Sequence, residues 1–118
     1  MNLTTSISLP LSMYYSFASD VGTLVQENTL PVAKILASLL VRMAKLHPSA
    51  YGEMSFDEKR SLKCHSKDSV VMTIGADAIK QVKALTGTDE RHQCLVARAL
   101  LEEYFSLDLE KRAALLRQ

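Results

Sequence analysis

The feature that most constrains the fold is an internal repeat in which matching residues are 65 positions apart. Leu9 lies 13 residues before Gly22, and Ile74 lies 13 residues before Gly87. In both copies a short apolar segment leads into an apolar-striped stretch, then the glycine, then a second and more apolar stretch. A repeat of this kind uses one supersecondary unit twice. We therefore expect one architecture that is completed by its own copy.

Each copy begins with a segment in which polar and apolar residues alternate with a period of two. Thr4, Ser6 and Ser8 stand on one side of the first segment, and Ile7 and Leu9 stand on the other. This alternation predicts a strand with one polar and one apolar face, ended by the proline that follows it. Residues 69–74 alternate in the same way, which predicts a second strand whose outward residues are Ser69, Val71 and Thr73.

Helical periodicity follows each strand. Gly22 and Gly87 are predicted stops, Thr29 and Thr88 are predicted N-caps, and Ser55 starts a capping box with a glutamate three residues later. These signals predict helices over about 11–21, 29–46, 55–62, 76–85, 89–107 and 108–117.

A single short strand leaves its backbone N–H and C=O groups without partners, and the simplest partner for either strand is the other. The sequence therefore predicts a mainly α-helical fold with a two-stranded antiparallel ribbon over four helices. The polar face of the ribbon would then point outward. A two-stranded ribbon fits the major groove of B-DNA.

This pattern resembles the ribbon-helix-helix family of DNA-binding proteins over about residues 4–46 and 69–107. Two copies on one chain resemble the tandem form found among plasmid-transfer accessory proteins, in which one chain makes its own pseudo-dimer. The residues that carry the resemblance are Ile7-Ser8-Leu9-Pro10, Met72-Thr73-Ile74-Gly75, Gly22, Gly87 and Leu95-Val96-Ala97-Arg98-Ala99-Leu100.

The resemblance implies a tandem ribbon-helix-helix pseudo-dimer and a double-stranded DNA partner. The chain is expected to form one domain over 1–118, with a first unit at 3–46, a linker at 47–68, a second unit at 69–107 and a C-terminal helix at 108–118. The expected DNA-contacting residues are the outward ribbon residues, the residues next along that face and one helix start: Asn2, Thr4, Ser6, Ser8, Thr29, Lys67, Ser69, Val71 and Thr73. The family usually presents Arg, Lys, Asn or Gln on the ribbon, whereas this ribbon presents mainly hydroxyl groups.

The charge balance limits how DNA could be bound. The formal net charge is +1, and the 14 basic residues are spread along the chain with 13 acidic ones. Such a balance argues against binding by a bulk positive field, so phosphate contacts would depend on local placement.

Other functional classes find little support in the sequence. It contains no Gly-rich phosphate loop, no nucleophile–base motif and no paired carboxylates in apolar surroundings, so we expect no enzymatic activity and no cofactor. Cys64-His65 and His92-Gln93-Cys94 lack the usual spacing of zinc ligands, so no metal site is predicted. Neither a signal peptide nor a membrane span is predicted, and a cytoplasmic location is expected.

Two functions follow from these patterns. The first is a DNA-binding protein of a mobile element such as a plasmid or phage, acting as a transcriptional regulator or a DNA-processing accessory factor. The second is a non-enzymatic protein-interaction module, an adaptor or inhibitor, that keeps the fold without binding DNA. Association with a second copy or with another protein is left open in both cases.

Overall fold

The computed structural model describes residues 3–25, 31–63 and 68–117. Within these residues the fold is mainly α-helical, with one antiparallel pair of strands. The elements, in chain order, are β1 (Thr4–Pro10), α1 (Leu11–Leu24), α2 (Val32–Leu46), α3 (Phe56–Lys63), β2 (Ser69–Gly75), α4 (Ala76–Thr86), a 3₁₀ turn (Glu90–His92), α5 (Gln93–Phe105) and α6 (Leu109–Arg117).

The predicted antiparallel pairing of the two strands is confirmed. Thr4 lies opposite Gly75, and Pro10 lies opposite Ser69. The ladder continues at both ends, because the Leu11 N–H donates to the carbonyl of residue 68 (3.2 Å) and the Ala76 N–H donates to the carbonyl of residue 3 (3.0 Å). The first and third quarters of the chain therefore complete each other's backbone hydrogen bonding.

The register of the ribbon agrees with the sequence repeat. Each residue of β1 has its repeat counterpart 65 positions later in β2, so that Pro10 corresponds to Gly75. Ile7 lies directly opposite Met72, which is its own repeat counterpart. The repeat and the pairing are therefore centred on the same residue pair, as the axis of a two-fold pseudo-symmetric ribbon requires.

The inner face of the ribbon covers the hydrophobic core. Ile7, Leu9, Met72 and Ile74 are all buried, as the period-two alternation predicts. Beneath them α2 packs against α4 and α5, and α5 also packs against β1. The apolar stripe of α2 belongs to this core, with Leu36, Leu39, Leu40 and Met43 fully buried.

The two repeat glycines differ in their structural roles, which corrects one prediction. Gly87 ends α4 with a φ of 69°, the left-handed conformation that glycine adopts without a steric cost. Gly22 was expected to end the first helix, but α1 continues through it to Leu24. The extra turn is held by the Thr23 hydroxyl, which donates to the Ser19 carbonyl at 2.9 Å.

The start of the helix after Gly87 also differs from the expectation. The Thr88 hydroxyl hydrogen-bonds to the Thr86 hydroxyl (2.7 Å), and the side chain of Asp89 caps the 3₁₀ turn by accepting from the Arg91 N–H (3.0 Å). The α-helix then begins at Gln93. The short carboxylate reaches the first free N–H groups more directly than the preceding hydroxyl does.

The capping box at the start of α3 is confirmed. The Ser55 N–H donates to Glu58 Oε1 at 3.0 Å, and the Glu58 N–H donates to Ser55 Oγ at 3.1 Å. Both bonds satisfy N–H groups that the helix itself leaves without partners.

A buried polar cluster fastens the C-terminal helix to the first one. Asp20 of α1 accepts hydrogen bonds from the Tyr104 hydroxyl and from Arg112 Nη1, both at 2.8 Å. Tyr104 is fully buried, and Asp20 is buried as well. Burial and then the carboxylate of Asp20 raise the pKa of Tyr104, so its hydroxyl keeps its proton and acts as the donor.

Candidate nucleic-acid interface

The outward face of the ribbon consists of small side chains with few charges. Of the six described ribbon residues predicted to contact DNA, Ser8 is half-buried, and the other five are exposed: Thr4, Ser6, Ser69, Val71 and Thr73. In cross-strand pairs, Ser6 lies opposite Thr73 and Ser8 opposite Val71. The ribbon therefore presents hydroxyl donors and acceptors together with one exposed valine.

The free edge of β1 is sealed by side chains of α5. Gln93 Nε2 lies 3.3 Å from both the Thr5 hydroxyl and the Ser6 carbonyl, and the Ser8 N–H donates to Cys94 Sγ at 3.5 Å. These contacts occupy backbone groups that point away from β2. They attach the ribbon to α5 and engage the Ser6 carbonyl and the Ser8 N–H, two groups that a further strand would need for pairing at this edge.

Arg98 strengthens this attachment. Its guanidinium is buried and donates to the Ser8 carbonyl (3.0 Å), the Ser8 hydroxyl (3.4 Å) and the Leu62 carbonyl (2.7 Å). The Ser8 hydroxyl is thereby engaged inside the protein. Among the predicted contact residues of β1, Thr4 and Ser6 are consequently better placed than Ser8 to meet a partner.

The N-terminal half of α2 borders the ribbon beside β2. A pocket of about 450 Å³ is lined by Thr4, Thr73 and Gly75 of the ribbon and by Lys34, Ala37 and Ser38 of α2, among others. α2 begins directly after Pro31, whose carbonyl accepts from the Lys34 N–H at 3.0 Å, so only Val32 and Ala33 precede the first hydrogen-bonded N–H of the helix. A lysine beside such a helix start is suited to holding a phosphate group.

Two further lysines lie at the same end of the ribbon. Lys80 and Lys83 of α4 line a pocket of about 430 Å³ together with Thr4, Thr5 and Gln93. Lys80 is exposed, and Lys83 Nζ lies 3.4 Å from a carboxylate oxygen of Glu90. The end of the ribbon at Thr4 and Gly75 is therefore bordered by three lysines, which we call the lysine end: Lys34, Lys80 and Lys83.

The opposite end of the ribbon has a different character. There a pocket of about 330 Å³ is lined by Pro10, Ser12, Ser61, Arg98 and Glu102, among others. Its cation, Arg98, is buried and bonded to main-chain carbonyls, and its carboxylate, Glu102, is exposed. Among the side chains that line these pockets, three lysines and Glu90 border the end of the ribbon at Thr4 and Gly75, whereas Arg98 and Glu102 border the end at Pro10.

Three predicted contact residues, Asn2, Thr29 and Lys67, lie outside the described residues. The same holds for Cys64 and His65, two of the four side chains weighed as zinc ligands. In the described ranges no group of three or more His, Cys, Asp or Glu residues is arranged to hold a metal ion. Those ranges also contain no helix that is both long and apolar enough to cross a bilayer.

Comparisons with protein-family models, curated proteins and solved structures return no match.

The sequence indicated which residues form the outward face of the ribbon, but not which residues of the helices border it. Lys80 and Lys83 stand on the polar face of α4, a position that usually serves solubility, and only the pairing of the strands brings them to the ribbon. Arg98 did carry a signal, because it is the single charged residue in the apolar run Cys94–Leu101. A buried cation in such a run is expected to be paired.

Proposed function

We propose that this protein binds double-stranded DNA by inserting the β1–β2 ribbon into the major groove, in a tandem ribbon-helix-helix arrangement. The observation that carries the proposal is the ribbon itself. Its inner face is buried in the core, and its outer face presents exposed hydroxyl side chains on both strands. The major groove is wide enough for a two-stranded ribbon, and hydroxyl groups can bond to donors or acceptors on base edges.

The tandem arrangement is supported by element order and by register. The order of strand, helix and helix occurs twice, as β1-α1-α2 and β2-α4-α5, and the ribbon is centred on the pair Ile7 and Met72. The two second helices, α2 and α5, pack against each other. α3 and α6 are additions to this plan, and α6 attaches to α1 through Arg112 and Asp20.

Phosphate contacts are best supported at the lysine end. Lys34, Lys80 and Lys83 border the ribbon there, and Lys34 stands in the first turn of α2, at the positive end of the helix dipole. Contacts of this kind position a protein on the duplex without reading its sequence. Local placement of lysines would explain how a chain with a net charge of +1 could hold a polyanion.

From the resemblance of the sequence to ribbon-helix-helix proteins, we infer that the protein is a transcriptional regulator or a DNA-processing accessory factor of a plasmid or phage. Both roles require binding to a site near the gene or at a processing origin. A duplex taken from the DNA that flanks the gene is therefore the first probe to use.

The test places like charges across the ribbon. In the double variant Ser6→Glu/Thr73→Glu, two carboxylates lie directly opposite each other on the outward face. We expect this variant to lose retention of the flanking duplex in a gel-shift assay, because both carboxylates would face phosphates and base edges. The affinity of the unaltered protein for the duplex should fall steeply when the salt concentration is raised, because each phosphate contact releases counterions from the DNA.

The matched control is Ser19→Glu/Ala114→Glu, which changes the charge equally at two exposed positions outside the ribbon, on α1 and α6. We expect it to bind as the unaltered protein does. Thermal unfolding by circular dichroism verifies that both double variants remain folded. Equal binding by the ribbon variant and the control would refute groove insertion.

The alternative function, a protein-interaction module, is favoured by two observations. The ribbon carries hydroxyl groups and a valine where DNA-binding ribbons usually carry amide or basic side chains, and the end opposite the lysine end is bordered by Glu102. If the unaltered protein retains no duplex at low salt, this alternative becomes the better account of the fold.

A further inference from the structure

Val71 is the one apolar side chain among the outward ribbon residues Thr4, Ser6, Ser8, Ser69, Val71 and Thr73, and it is 66% exposed. It stands opposite Ser8, whose hydroxyl is directed to Arg98. A β-branched side chain held upright on a pleated strand offers both methyl groups to whatever meets the ribbon.

The repeat shows that this apolar position is not shared by the two strands. The counterpart of Val71, 65 positions earlier, is Ser6, which is also exposed and faces the same way. The two remaining outward pairs of counterparts, Thr4 with Ser69 and Ser8 with Thr73, are hydroxyl residues in both strands. Among these pairs only Val71 and Ser6 differ in chemical type, while Ser8 and Thr73 differ in accessibility, because Ser8 is half-buried and its hydroxyl accepts from Arg98 whereas Thr73 is exposed.

A valine can neither donate nor accept a hydrogen bond, so it can discriminate bases only by apolar contact. The apolar group that a base pair presents in the major groove is the C5-methyl of thymine. A hydroxyl at the counterpart position accepts any base pair that offers a donor or an acceptor. The two halves of a bound site would therefore be read by different rules.

We propose that Val71 determines specificity by packing against the C5-methyl of a thymine, and that the recognised site is consequently non-palindromic, with a methyl-dependent position in one half only. The proposal rests on the proposed function, because it requires the ribbon to lie in the major groove. The unequal charge at the two ends of the ribbon points in the same direction, since a two-fold operator mirrors a two-fold protein.

The experiment alters the DNA and leaves the protein intact. Duplexes are selected from a random-sequence library by binding to the full chain, and each thymine of the selected site is then replaced singly by deoxyuridine, which lacks only the C5-methyl. We expect one thymine, or two adjacent ones, in one half of the site to weaken binding about fourfold to tenfold, as the loss of one buried methyl contact implies. The remaining replacements should leave binding unchanged.

Two variants assign the effect to the residue. Val71→Ser should bind the thymine and deoxyuridine duplexes equally, and Ser6→Val should create a second methyl-dependent position in the other half of the site. Both positions are exposed, so neither change disturbs the core. Thermal unfolding confirms that each variant is folded.

The outcomes separate this inference from the function on which it rests. If a site is selected but every deoxyuridine replacement is neutral, or if both halves respond equally, the assignment to Val71 is wrong and DNA binding stands. If Val71→Ser keeps the methyl dependence of the unaltered protein, the assignment is also wrong. If no duplex is enriched, both the proposed function and this inference fail.

Discussion

Arg98 shows at the residue scale how a site depends on contacts that sequence periodicity cannot specify. The residue belongs to a helix whose surroundings are apolar, and its guanidinium donates hydrogen bonds to the carbonyls of Ser8 and Leu62, which lie 90 and 36 positions away in the chain. The helix and its apolar character follow from the sequence. The hydrogen-bond partners of the guanidinium do not follow from the sequence, because they depend on how β1 and α3 pack against α5.

Glu102 is the second informative residue. It is exposed but borders a pocket of about 220 Å³ whose lining also includes Glu53, Glu58 and Glu103. Loss of hydration and then the charges of Glu58 and Glu103 raise the pKa of Glu102 above its ordinary value. An acid whose pKa is raised by folding destabilises the folded state once the pH is high enough to ionise it.

We therefore predict that Glu102→Gln raises the melting temperature at pH 7 and leaves it unchanged near pH 3. The penalty is absent where the carboxyl is protonated in both the folded and the unfolded state, and it develops as the pH rises. Because the residue is exposed, a gain of a few tenths of a kcal/mol is expected, about 1 to 2 °C in melting temperature.

Thermal unfolding at the two pH values measures this effect. Glu110→Gln is the matched control, because Glu110 stands in the first turn of α6, where a negative charge favours the helix. Its removal should lower the melting temperature slightly at pH 7. A Glu102→Gln variant that is destabilised at pH 7 would contradict the prediction.

At the scale of elements, the two repeat glycines demonstrate that equal positions in a sequence repeat need not have equal backbone roles. Gly87 ends α4 in the left-handed conformation. Gly22 lies inside α1, and a Cβ placed on it would meet no atom within 4 Å. A glycine therefore does not end α1, which continues in helical conformation to Leu24.

We predict opposite effects for one substitution at these two positions. Gly87→Ala should destabilise the fold by about 1 kcal/mol, since a side chain is strained at positive φ. Gly22→Ala should stabilise it by about 0.5 to 1 kcal/mol, because alanine is the better residue inside a helix. Each variant serves as the control for the other.

Denaturant unfolding measures the free energy of unfolding of both variants, provided that both show the same dependence of this free energy on denaturant concentration. A loss of stability in Gly22→Ala would mean that α1 ends where the sequence repeat suggests. Unchanged stability in Gly87→Ala would mean that the end of α4 tolerates a side chain.

Much of the element structure could be predicted because its signals are local. The alternation in Thr4–Leu9 determined which strand face is buried, and the capping box at Ser55 and Glu58 located the start of α3. The lysine end and the sealed edge of β1 could not be predicted in this way. They arise from residues on α2, α4 and α5 that only the packed structure brings to the ribbon.

At the scale of the whole molecule, the buried cluster of Asp20, Tyr104 and Arg112 joins the end of the chain to its first helix. α6 has two additional attachments, because Arg42 Nη1 donates to the Leu115 carbonyl (2.7 Å) and Arg117 Nε donates to the Leu24 carbonyl (2.9 Å). The cluster is the most buried of these attachments, and a carboxylate left there without its cation would be costly.

We predict that Arg112→Met lowers the free energy of unfolding by about 2 to 3 kcal/mol, because Asp20 would keep the Tyr104 hydroxyl but lose its charged partner. The matched control is Arg117→Met on the same helix, whose bond is exposed and whose loss should cost about 0.5 kcal/mol or less. Equal losses in the two variants, measured by denaturant unfolding, would show that the buried ion pair contributes no more than a surface contact.

Because both strands of the ribbon belong to one polypeptide, their meeting is a unimolecular event. In an assembly of two separate chains, each donating one strand, dilution would dissolve the pair by mass action. Here tethering keeps the two strands at a high effective concentration however few molecules are present. The ribbon would therefore form even in a cell that holds only a handful of copies of the protein. The two strands can also diverge in sequence, because each is encoded by its own segment of the chain, whereas the strands of a homodimer are identical.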